Sequence, residues 1–127
     1  MLTRIRFAAV AVLVLLGCHQ RQMTADEALS AMPGYITVHV ANRNRLDVMV
    51  YVYADGRQTR VGLATANTES EFRVSLATFG AGADYRLIGD PIGMRINVTT
   101  ETLHARGGDI VTWSIEDSFA RSTVVVR

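Results

Sequence analysis

Leu46-Asp47-Val48-Met49-Val50-Tyr51-Val52-Tyr53-Ala54, followed at once by Asp55-Gly56, is the stretch that decides the fold. In an extended chain successive side chains leave opposite faces, so Val48, Val50 and Val52 share one face and Met49, Tyr51 and Tyr53 the other. β-branched and aromatic residues at that period predict a strand over 46–54. Asp55-Gly56 predicts a two-residue type I′ turn, which needs positive φ at both central positions, and therefore a hairpin returning over 58–66.

The same period continues on both sides. Upstream, Ile36, Val38 and Val40 alternate with Thr37, His39 and Ala41, and Asn42-Arg43-Asn44-Arg45 makes the turn, since both asparagines tolerate the left-handed region and bond nearby backbone. Downstream, Asn67-Thr68 reverses the chain, and 71–76 turns Phe72, Val74 and Leu76 inward. The Gly- and Ala-rich segment 78–84 reads as a loop crossing between sheets. A short strand over 85–89 ends at Asp90-Pro91-Ile92-Gly93, where Pro91 presets the φ of a type I turn. Further strands are expected over 94–100, over 110–116 with Val111, Trp113 and Ile115 on one side, and over 123–126. Short strands about ten residues apart, with turn chemistry between them and no convincing helix, predict an all-β fold: an antiparallel β-sandwich of about seven or eight strands. An immunoglobulin-like or transthyretin-like Greek key suits this size, with a small closed barrel as the alternative. Trp113 lies on a late strand with no flanking cysteine pair, so it is a weak immunoglobulin marker.

The N-terminus has a different character. Met1-Leu2-Thr3-Arg4-Ile5-Arg6 is charged, and 7–16 is an apolar run of ten residues closed by Leu15-Leu16-Gly17-Cys18. A helix of ten residues reaches only about 15 Å against about 30 Å of hydrocarbon, so the run reads as a signal core and not as a span. The run Leu15, Leu16, Gly17, Cys18 resembles the lipobox of bacterial lipoproteins. That resemblance implies a diacylglyceryl group on the Cys18 thiol, cleavage between Gly17 and Cys18, and acylation of the new amino group. With more than one acyl chain attachment is stable, because each buried methylene adds roughly 0.8 kcal/mol. His19 in place of Asp after the cysteine implies, by the same analogy, the outer membrane facing the periplasm.

The organisation expected is a signal peptide at 1–17, a lipidated Cys18 and tether at 18–34, and one β-sandwich domain at 35–127. Thr24 and Glu27 have capping-box spacing, so a short helix is an alternative within the tether, which ends in the breaker pair Pro33-Gly34. Removing Arg4 and Arg6 with the signal leaves eleven basic residues, all arginine, against twelve acidic ones. These arginines are scattered among carboxylates, which argues against a nucleic-acid partner. Cys18 is the only cysteine, so no internal disulfide supports the fold. Together with Tyr85-Arg86-Leu87-Ile88-Gly89 before Asp90-Pro91-Ile92-Gly93, these features are similar to small β-sandwich lipoproteins of bacterial envelopes, a resemblance that brings no activity with it.

No nucleophile, base and carboxylate stand at a telling spacing, so the chain does not read as an enzyme. His19, His39 and His104 read as surface residues. No motif gathers them with Met23, Met32, Met49 and Met94 into a copper site, and Asp84, Asp90 and Asp109 lack the dense spacing of a calcium loop. No metal and no cofactor are expected beyond the covalent lipid on Cys18. The candidate binding face is Met49, Tyr51 and Tyr53, whose two aromatics would stand about 7 Å apart on the sheet; packing under a neighbouring element is the alternative for these residues. Arg43, Arg45, Arg57 and Arg60 are expected to rim the first strands. The function expected is therefore a noncatalytic binding or assembly module, held to the membrane by its lipid and meeting an envelope protein or polymer. A carbohydrate-binding module using the tyrosines, and a hydrolase whose residues converge only in space, are the alternatives.

Overall fold

A computed structural model describes Thr24 and residues 34–127. The expectations for Gly17, Cys18, the signal segment and nearly all of the tether fall outside the described residues. Among the described residues nine strands make two packed sheets: β1 (Tyr35–Asn42), β2 (Val48–Ala54), β3 (Arg57–Ala64), β4 (Thr68–Ser75), β5 (Asp84–Pro91), β6 (Val98–Thr99), β7 (Leu103–His104), β8 (Ile110–Ile115) and β9 (Thr123–Val126). The first sheet runs β4-β1-β8-β9 and the second β3-β2-β5-β6, with β7 also on β5. The sheets do not close on themselves, so the fold is a sandwich and not a barrel.

The core follows the period of two. Ile36, Val38 and Val40 of β1, Val48, Val50 and Val52 of β2, Leu87 of β5, and Val111, Trp113 and Ile115 of β8 are all buried between the sheets. Asp55 and Gly56 have φ of 50° and 70°, and β2 and β3 pair from Ala54↔Arg57, which is the two-residue hairpin read from the sequence. Val61 is an extra residue in that ladder, because Tyr51 faces Arg60 while Val50 faces Gly62. The Gly- and Ala-rich loop does cross between sheets, and it carries a 3-10 turn, Leu76–Phe79, with Phe79 buried.

Several particulars differ from the sequence reading. β1 and β8 run parallel, and every other pairing is antiparallel. Strands one and two also lie in different sheets, whereas the immunoglobulin arrangement puts them together. Of the two topologies expected, this order rules out the immunoglobulin-like one. Leu76 leaves the strand because the Ser75 hydroxyl accepts from the Ala77 N–H and opens the 3-10 turn. Pro91 ends β5 and is the first residue of its turn; the Met94 N–H closes on the Pro91 carbonyl, with Gly93 at φ 89°. The strand expected over 94–100 shrinks to β6 and resumes as β7. Between them the Thr100 hydroxyl, not its backbone, accepts from the Leu87 N–H at 3.0 Å.

Asn42 and Asn44 do bond nearby backbone, but neither has positive φ. Both are buried, and they tie the sheets at one end. The Asn42 amide donates to the Leu46 and Ala64 carbonyls at 2.9 Å each and accepts from the Asn44 N–H at 3.0 Å. Asn44 accepts from the Leu46 N–H at 3.0 Å and donates to the Glu116 carbonyl at 3.3 Å.

Candidate functional site

Because Val48, Val50 and Val52 take the core side of β2, Met49, Tyr51 and Tyr53 stand on the outer face of the second sheet. Met49 and Tyr51 are half-buried, and Tyr53 is 44% exposed. No helix or strand among the described residues covers this row. Cross-strand pairing supplies their neighbours. Met49 lies between Leu63 and Asp90, Tyr51 between Arg60 and Ile88, and Tyr53 between Gln58 and Arg86. The face is thus an apolar stripe along β2 bordered by donors and one carboxylate, a composition able to hold a planar, polar-edged partner.

Beside Tyr53 a hollow of about 260 Å³ is lined by Asp55, Asp84, Arg86 and Thr102. The Arg86 Nε donates to the Thr102 hydroxyl at 3.0 Å, which orients the guanidinium along this hollow. Gln58 follows from the hairpin register, but Arg86 and Ile88 reach the face through the β2–β5 pairing, which no short turn fixes. Among the rim arginines, Arg57 and Arg60 lie on β3, whereas Arg43 lies at the other end of the molecule, 3.5 Å from Glu116.

Each of the other candidates has a defined place. His39 is on the outer face of the first sheet, 3.5 Å from Glu71, and lines an open hollow of about 380 Å³ with Glu69, Ser70 and Thr112. His104, expected in a loop, is on β7 with its Nδ1 2.9 Å from Asp84. Both pairs are well exposed, and among the described residues no hydrogen bond joins either histidine to a hydroxyl. Among the same residues no three histidines, cysteines or carboxylates gather as metal ligands. Asp84, Asp90 and Asp109 are dispersed: Asp90 opposes Met49, and Asp109 accepts from the Arg106 N–H.

Two further buried polar residues escaped the sequence reading: Thr37, which the alternation turns outward, is buried, and so is Tyr85. Tyr85 faces the core, its ring 4.7 Å from that of Phe79, and its hydroxyl has no hydrogen-bond partner among the described residues. Burial first, and the Asp109 carboxylate second, push its pKa well above the ordinary tyrosine value. Alternation from Leu87 places residue 85 inside, and that was the available signal.

No family model and no curated protein matches the chain. Among solved structures, the NMR structure of a protein from Eubacterium rectale is similar, with a TM-score of 0.45 and 18% identity over 73% of this chain and 88% of that one.

Proposed function

We propose that this chain is a noncatalytic binding module of the bacterial envelope, anchored in the outer membrane through acyl chains on Cys18 and meeting an envelope protein or polymer through the outer face of its second sheet. The observation that carries the reading is the outward row Met49, Tyr51 and Tyr53, left uncovered by every described element. Tyrosines presented on a rigid strand give large contact area at small cost in side-chain entropy. The lipobox resemblance supports the anchor. The noncatalytic reading draws support from the exposure of both histidine–carboxylate pairs, since general acid–base groups gain their catalytic strength in water-poor sites.

A glycan is the second reading, favoured by the exposed ring of Tyr53 between the hydrogen-bonding side chains of Gln58 and Arg86. The test compares the full-length acylated protein with a Tyr51→Ala/Tyr53→Ala form. Both are assayed for retention on isolated envelope polysaccharide and peptidoglycan and for crosslinking to envelope proteins. Loss of retention or crosslinking with an unchanged thermal midpoint supports the face. Full activity in the double variant rejects it. In parallel, Cys18→Ala should leave an uncut, unacylated precursor in labelled-palmitate experiments, and acylation of that variant would remove the anchor from the reading.

A further inference from the structure

The two sheets part along one side, between β6 and β9, and leave a crevice of about 440 Å³. Val98, Trp113, Phe119 and Val124 supply its apolar lining, and among the described residues Glu101 is the one ionisable group on it. β9 borders this crevice as the last strand of the first sheet. Ile110 and Arg127 exchange both backbone hydrogen bonds at 3.0 Å, so the antiparallel alternation bonds Val125 and Thr123 to β8 in turn. The N–H and C=O groups of Val124 and Val126 therefore point away from β8, where no described strand follows.

Natural sheets blunt such edges with charge, bulges or brevity. β3 carries Arg57, Arg60 and a bulge, β4 carries Glu69, Glu71 and Arg73, and β6 has two residues. β9 is short and is followed by Arg127, but its four residues, Thr-Val-Val-Val, carry no charge, proline or bulge, and Val125 is 51% exposed. We infer that β9 accepts an extended polypeptide segment of a partner as a fifth strand of the first sheet, its alternate apolar side chains entering the crevice toward Trp113 and a basic side chain meeting Glu101. Main-chain pairing supplies affinity in this mode, and the crevice and the carboxylate supply specificity. A second copy fits less well. Antiparallel β9–β9 pairing turns one molecule end for end, which sets the two Tyr35 entry points at opposite ends and opposes anchorage in one membrane; this last step rests on the anchored reading.

The probe is a synthetic heptapeptide alternating Val and Thr with one Lys, titrated into the full-length acylated protein in detergent and into its Cys18→Ala form. Fluorescence of Trp113, the only tryptophan, reports occupancy, and amide exchange reports the edge. Saturable binding by both forms, with slowed exchange at Val124 and Val126, is expected whether or not the anchor reading survives. Among the described residues the Val124 N–H has no place in the β8 ladder, so Val124→Pro should leave the domain folded while affinity falls about tenfold. Glu101→Gln should weaken the Lys peptide and leave a Thr-for-Lys version unchanged. If Val124→Pro fails to fold, a peptide N-methylated at alternate residues replaces it, and binding as tight as the parent's overturns the proposal. So does unsaturable fluorescence, or self-association without peptide that slows exchange at Val124 and Val126.

Discussion

The two long sides of the sandwich are held together by different means. On one side the chain itself passes between the sheets from β3 to β4, turning at Asn67 with φ 54°, and Phe72 of β4 packs where Gly62 of β3 leaves room; a Cβ there would overlap the Phe72 ring. The Asn42 amide locks this side, reaching from β1 to the Ala64 carbonyl of β3. On the other side the strands are two to four residues long, and no turn joins β6 to β9. There Trp113 reaches from β8 across to Gly89 of β5 beside Val98 of β6; a Cβ at Gly89 would lie 2.7 Å from Val98 and 3.0 Å from the indole edge. Directional bonds close one side and shape closes the other.

That contrast is broken most severely at Trp113. Trp113→Ala removes a fully buried indole and leaves a void continuous with the crevice, so a loss of about 3–5 kcal/mol is expected in urea unfolding. A loss under about 1 kcal/mol would mean that the open side collapses freely and that the indole is not its support. The closed side is tested next by Asn42→Ala, which strips partners from the Leu46 and Ala64 carbonyls and the Asn44 N–H. Unmade bonds to buried groups cost about 1–3 kcal/mol each where water cannot replace the amide, and a total near 2–3 kcal/mol is expected. Trimethylamine oxide should not restore the difference between this variant and the parent, because the missing partner is local.

The same contrast explains what could be read from the chain. Much of 35–91 follows local rules: a period of two broken at the Val61 bulge and the Leu76–Phe79 turn, Asp55-Gly56 at the hairpin, Asn67 at the next reversal. Those rules fix which side chains face in, and hence that Met49, Tyr51 and Tyr53 face out. They do not fix non-local pairing. The parallel union of β1 with β8 joins segments about 70 residues apart with no turn to announce it, and Arg86 joins the candidate face only through the β2–β5 register. On the open side the ladder is irregular between β6 and β7: the Thr100 N–H donates to the Leu87 carbonyl, while the Leu87 N–H goes to the Thr100 hydroxyl. Exposure of the tyrosine row was undecidable for a similar reason. It depends on whether another element lies over β2, which is a property of topology and not of the strand.

The smallest expected effect separates the two halves by their buried polar groups. Asn42 has all its partners, whereas the Tyr85 hydroxyl, on β5 beside β7, has none among the described residues. Tyr85→Phe removes an unpartnered buried oxygen and keeps the ring contact with Phe79, so a change of about 0 to 1 kcal/mol in the stabilising direction is expected near neutral pH. Its pH dependence is the sharper measurement. The folded-state pKa of Tyr85 is raised by burial and then by Asp109, so its contribution is fully present below the unfolded value of about 10 and is lost as pH rises beyond it, when the unfolded chain gives up the proton first. The loss accrues at about 1.4 kcal/mol per pH unit between the unfolded and folded pKa values. Unfolding curves at about pH 9 and about pH 11 should therefore diverge more in the parent than in Tyr85→Phe, by an amount near that slope. Equal divergence in both would mean that the hydroxyl finds a partner in solution, and the open half would then be as well satisfied as the half that Asn42 closes.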